Sequence, residues 1–185
     1  MVAIGVSGHR HLRYPDAVSQ ATDQVLAHIH SLYGLEDWTL ISPLAEGADR
    51  LVVWRALALT TPRLVVPLPL EPQDYQRDFE TAASRAAFQS LLSSADEVIH
   101  LPSQSNRPES YLAAGRYVLD HCDVLIAIWD GEPSRGVGGT AQIVAGARER
   151  GLPLAWIRLS KPGTAPISGP GGGPLPISYE RFPAG

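Results

Sequence analysis

Five short stretches hold the residues that could do chemistry. Ser7-Gly8-His9-Arg10 ends an apolar run carrying Val2, Ile4 and Val6. Gly8 lets a ligand approach the backbone, and Arg10 can fork onto a phosphate or carboxylate. Ala45-Glu46-Gly47-Ala48-Asp49 comes next. Gly47 and Ala48 fall near a helix start, where unpaired N–H groups attract negative charge. Glu46 and Asp49 also read simply as acids in that helix's first turn. In the third stretch, Leu68 precedes Asp74-Tyr75, and the ring of Tyr75 could stack on a base. Asp130-Gly131 is the fourth, with Asp130 suited to a ribose hydroxyl or a water. The fifth, Gly138-Gly139-Thr140, opens a helix with glycine, as anion sites do.

These stretches share one position in the pattern: each follows an apolar strand-like run and leads towards a helix. The runs are Val2–Val6, Thr39–Ile41, Leu64–Pro67, Asp96–Leu101, Val124–Trp129 and Leu154–Ile157. Apolar residues at helical spacing fall between them, as in Val18, Ala21, Val25, Ile29 and Leu32 up to Gly34. Further helices are expected over Leu51–Leu57, from Asp74 to about Ser93 in one or two pieces, over Glu109–His121, and from Thr140 to Ala147. Strands alternating with helices predict an α/β protein, a Rossmann-like three-layer α/β/α arrangement with a mostly parallel sheet. Right-handed crossovers then bring the strand ends to one edge, where such proteins bind ligands. Val124–Trp129 is apolar throughout and belongs inside the sheet. The polar start at Asp96-Glu97 suggests an edge strand, and Pro67 and Pro69 are expected to end interior pairing.

The 185 residues suit one domain, residues 1–159, followed by a Pro- and Gly-rich tail over 160–185. The formal charge of −4 does not suggest bulk nucleic-acid binding. Cys122 is the only cysteine, so neither an internal disulfide nor a cysteine metal cluster is available. Lys161 is the only lysine, which excludes a P-loop lysine. No metal or cofactor is called for: His9 with His11, and His28 with His30, lie at i,i+2 without matching ligands. No leader or membrane span is apparent, so the expected compartment is the cytoplasm. G-x-G-x-x-G is missing after the first run, as is a G-x-S-x-G nucleophile elbow.

As an ordered set, the same pieces resemble the SLOG superfamily, whose Rossmann-like fold is shared by DprA/Smf proteins, LOG proteins and YpsA-like proteins. Those pieces are Ser7–Arg10, Leu44–Asp49, Val66–Pro69, Asp74-Tyr75 with Asp78-Phe79, Asp123–Gly131 and Gly138–Ala141. The resemblance implies a pocket for nucleotides or nucleotide-derived signals. Members act as sensors, as nucleic-acid binders or as nucleoside monophosphate phosphoribohydrolases, and oligomers are common among them. A dimer here would use the helices near 80–93 or 107–120. LOG enzymes carry a glutamate three residues after the threonine of their Gly-Thr motif; here that position is Ile143. Isoleucine can neither attack a sugar carbon nor stabilise an oxocarbenium-like transition state.

The leading expectation is therefore binding or sensing of a nucleotide-like small molecule. Phosphate would rest on the N–H groups of Gly8, Gly47, Gly139 and Thr140, with Arg10 as counter-charge. Two alternatives stand beside it: an N-glycosidic-bond hydrolase using Glu46 or Asp130, and a DprA-like nucleic-acid module.

Overall fold

The computed structural model describes residues 1–34, 36–133, 137–160 and 174–183. The first strand, β1 (Val2–Gly8), turns Ile4 and Val6 into one apolar layer. Gly5 faces the other way, and there a Cβ would press on Val118 and Cys122, so a glycine lets the covering helix sit close to the sheet.

Chain order continues with α1 (Pro15–Tyr33), β2 (Trp38–Ile41), α2 (Ala48–Leu59) and β3 (Arg63–Leu68). A short helix α3 (Pro72–Tyr75) and a 3-10 turn (Gln76–Asp78) precede α4 (Ala82–Ser93). Then come β4 (Glu97–His100), α5 (Arg107–His121), β5 (Val124–Trp129), α6 (Thr140–Glu149), β6 (Leu154–Arg158) and β7 (Ile177–Glu180).

Among the described residues the strands form one sheet in the order β4-β3-β2-β1-β5-β6-β7. All neighbours run parallel except β6 and β7. Side chains of α1, α2 and α4 pack with Ile4, Val6, Val124, Ile126 and Ile128 on one face of the sheet. Those of α5 and α6 pack with Leu125, Ala127 and Trp129 on the other. The architecture is the three-layer α/β arrangement with a mostly parallel sheet. No helix among the described residues is long and apolar enough to cross a membrane.

β4 takes one edge of the sheet and β5 lies inside it, both as the sequence indicates. Pro67 differs from the expectation, because it belongs to an interior strand and pairs in register with Ile99. β2 and β3 pair only as far as Ile41 and Val65. Leu64 and Leu68 turn their carbonyls to the β4 side, accepting from Asp96 and Leu101. By alternation Pro67 turns its nitrogen to the side where β2 has already stopped, so no ladder bond is lost.

The second difference is β7, a strand inside the stretch read as tail. It pairs antiparallel with β6, from Leu154 opposite Glu180 to Ile157 opposite Ile177. Arg148 of α6 holds it with two bonds to Glu180, at 3.0 and 2.7 Å. His28 of α1, Tyr179 and Phe182 stack beside it.

Candidate functional site

β1 and β5 lie side by side, yet β1 is followed by a crossover towards β2 and β5 by one towards β6. Loops leaving the two strands diverge here and leave a crevice at their C-terminal ends. His9 N–H donates to the Ile128 carbonyl at 3.0 Å and fixes the first loop on β5. The Ala48 N–H donates to the His9 carbonyl at 3.0 Å. Gly47 beneath it has φ +81°, and a Cβ there would run into the carbonyls of His9 and Arg10. The loop carrying His9 and Arg10 is thus clamped between β5 and the turn that opens α2.

The crevice has two adjoining lobes. Lobe 1, about 460 Å³, is walled by His9, Tyr14, Trp129, Asp130 and Leu175 among others. Lobe 2, about 480 Å³, is walled by Ser7, Asp49, Tyr111, Gly115 and Ile143 among others. Gly8, Arg10, Gly138, Gly139 and Thr140 line both. Thr140 begins α6, and among the described residues no side chain caps the start of that helix. Its N–H groups are the unpaired donors that every helix start leaves. Gly138 has φ +83° and donates to the side chain of Gln142 at 2.9 Å, which holds the turn. Arg10 lays its guanidinium 5.4 Å from the centre of the Tyr111 ring. Among the described residues Arg10 forms no salt bridge, although its charge acts on the nearby Asp49, and its guanidinium remains available to a ligand.

Three acidic residues line the crevice, Asp130 and Glu132 in lobe 1 and Asp49 in lobe 2, and Asp130 and Asp49 differ in state. Asp130 in lobe 1 lies 3.1 Å from His9 Nε2 and accepts from the Glu132 N–H at 3.0 Å. Burial alone would raise its pKa, but the Glu132 amide and His9 outweigh burial and hold it below the usual carboxylate range. Asp49 in lobe 2 is 3% exposed. Burial pushes it from 3.8 up to about 7, against the opposing pull of the Ala45 amide, Ser42, Arg50 and Arg10. Near neutral pH Asp49 can therefore donate a proton or a hydrogen bond, whereas Asp130 can only accept. The chain thus presents one anionic and one titrating carboxyl on the two sides of a cationic, amide-lined wall.

Eleven residues singled out in the sequence meet in this crevice: Ser7, Gly8, His9, Arg10, Ala45, Asp49, Tyr75, Asp130, Gly138, Gly139 and Thr140. Others are used elsewhere. Glu46 accepts from the Ser84 hydroxyl and the Glu80 N–H and, with Gly47, lines a separate groove beside α2. That position removes Glu46 as the carboxylate of the hydrolase alternative. Ala48 is buried and its N–H is spent on His9, so this turn holds the first loop rather than a phosphate. Asp74 is paired with Arg107 at 2.7 Å, Leu68 is in the core, and Gly131 sits against Trp156. Tyr75 reaches the wall of lobe 2 but is 1% exposed and packs edge-on to Phe79 and Phe88, so it cannot stack on a base.

Two other rings that line the crevice were not among the candidates. Tyr14 is 44% exposed, on lobe 1, with a left-handed backbone (φ 59°) just before Pro15. Tyr111 is held by its hydroxyl on Asp78. The Tyr-Pro junction before a helix is a signal that could have drawn attention to Tyr14; nothing local marks Tyr111. Ile143, three residues after Thr140, lines lobe 2 with a hydrocarbon side chain. Among the described residues no group of three His, Cys, Asp or Glu side chains is placed to hold a metal ion.

No protein-family model and no curated protein matches this chain.

Proposed function

We propose that the crevice binds a nucleotide or nucleotide-derived anion, and that the chain senses this molecule rather than consumes it. One observation carries the reading. Arg10, which forms no salt bridge among the described residues, and the start of α6, which no described side chain caps, line one wall at the sheet's switch point. A phosphate there would meet amide donors, the positive end of a helix and a forked cation together. Asp130, ionised and within reach of the same wall, suits a ribose diol. Tyr14 offers a flat apolar surface for a base. On this proposal the resemblance to SLOG proteins reflects shared ligand chemistry, in a cytoplasmic protein.

Isothermal titration against nucleoside mono-, di-, tri- and cyclic phosphates tests the reading. Saturable heat is expected for at least one class, and Arg10→Ala is expected to abolish or strongly weaken it. A flat response to every class overturns the proposal.

A second reading, N-glycosidic cleavage, rests on Asp130, the one of the two expected carboxylates that lines the crevice, since Glu46 is tied to Ser84 and Ile143 carries no carboxylate. Release of free base from nucleoside monophosphates, lost in Asp130→Asn, would favour it over sensing.

A further inference from the structure

The crevice is built twice over. Its two lobes have nearly the same volume, about 460 and 480 Å³. Each alone falls in the range of roughly 300–1,000 Å³ that holds a drug-sized ligand. The residues common to both are the phosphate-binding ones: Gly8, Arg10, Gly139 and Thr140 with Gly138. The anion site therefore lies at the junction and not at the end of a single pocket. Each lobe also has a tyrosine ring and an acidic side of its own, Tyr14 with Asp130 and Glu132 in lobe 1 and Tyr111 with Asp49 in lobe 2. A mononucleotide with its phosphate at the junction would fill one lobe and leave the other to water.

We propose that the ligand is two-ended: a dinucleotide whose bridging phosphate group rests on the wall shared by the lobes, with one nucleoside in each. This rests on the nucleotide reading above and goes beyond it by naming the ligand class. Asp130, anionic, faces one ribose as an acceptor. Asp49, which carries a proton over part of the neutral range, faces the other end as a donor. The two ends are thus recognised differently, and an unsymmetrical dinucleotide fits at least as well as a symmetrical one. Gly115 sets the room in lobe 2, because a side chain there would add bulk against Ile143. Tyr14, exposed on the rim, sets the stacking surface of lobe 1.

The test is calorimetric titration of the intact chain with AMP, GMP, ATP, GTP, diadenosine diphosphate, diguanosine diphosphate and NAD. One of the dinucleotides is expected to bind at least about tenfold more tightly than the best mono- or triphosphate, a difference of ~1.4 kcal/mol. Tyr14→Ala and Gly115→Leu, on opposite lobes, are each expected to bring that dinucleotide down to mononucleotide affinity. If a mono- or triphosphate binds as tightly as any dinucleotide, the two-ended proposal fails while the nucleotide reading stands. Absence of binding by every compound at millimolar concentration removes both. The wild-type comparison needs neither variant to fold. If both variants fold and only one weakens the dinucleotide, a single lobe is occupied and the two-ended proposal is overturned.

Discussion

Replacing Asp49 by Asn is expected to make the protein less sensitive to pH. The carboxyl is 3% exposed and its pKa is pushed from 3.8 to about 7 by burial. Between those values the unfolded chain has released the proton and the folded chain still holds it. Stability therefore falls as pH rises, by ~1.4 kcal/mol for each unit crossed. The penalty is absent below the unfolded value and complete above the folded one. From about pH 5 to pH 8 roughly two units are crossed, which gives ~3 kcal/mol. Asn keeps an oxygen that can accept from Ser42 Oγ, now 3.3 Å away, and from the Ala45 amide, but it does not titrate. Relative to wild type the variant should therefore gain ~3 kcal/mol over that range, or roughly 6–11 °C in Tm for a domain of this size. Thermal and urea unfolding at closely spaced pH values measure this. Parallel stability curves for the two proteins, or a variant that loses stability relative to wild type as pH rises, would refute the burial argument. A bound anion beside Asp49 favours its protonated form, so ligand binding near neutral pH is also expected to take up protons. Titration in buffers of different ionisation enthalpy reads that uptake.

Three further perturbations follow from the geometry. Gly47→Ala sets a Cβ against two backbone carbonyls at φ +81° and is expected to cost more than Gly34→Ala, at φ +64° in open space, which costs ~1 kcal/mol; urea unfolding compares them. Arg10→Ala is expected to weaken nucleotide binding by roughly 10- to 100-fold, the worth of a charged hydrogen bond, while leaving Tm within about 2 °C, since the side chain is exposed and forms no salt bridge among the described residues. Arg148→Ala removes a half-exposed pair with Glu180, costs less than about 1 kcal/mol, and should show first as faster amide exchange in β7.

Much of this was legible in the chain. The unbroken apolar run Val124–Trp129, the stop at Gly8 and the Gly-Gly-Thr start of α6 are local signals, and each lies where such signals belong. What stayed hidden depends on partners far along the sequence. Asp74 looks like any acid near a helix start until Arg107, from α5, takes it. Glu46 is drawn away by Ser84 of α4. Nothing near Asp49 tells that it will be almost fully buried, because the packing around Ser42 and Tyr75 that excludes water comes from three separate elements. β7 is hidden differently: its four residues, Ile177-Ser178-Tyr179-Glu180, are too short and too polar to stand out after a stretch rich in Pro and Gly.

That last strand reaches further than the sheet it lengthens. Leu159 leaves β6 and Leu175 leads into β7, and both side chains are also part of the wall of lobe 1. A guest seated there would touch residues that flank both β6 and β7, at the outer border of the sheet. Its occupancy is expected to slow tryptic cleavage at Arg181, the residue just past β7.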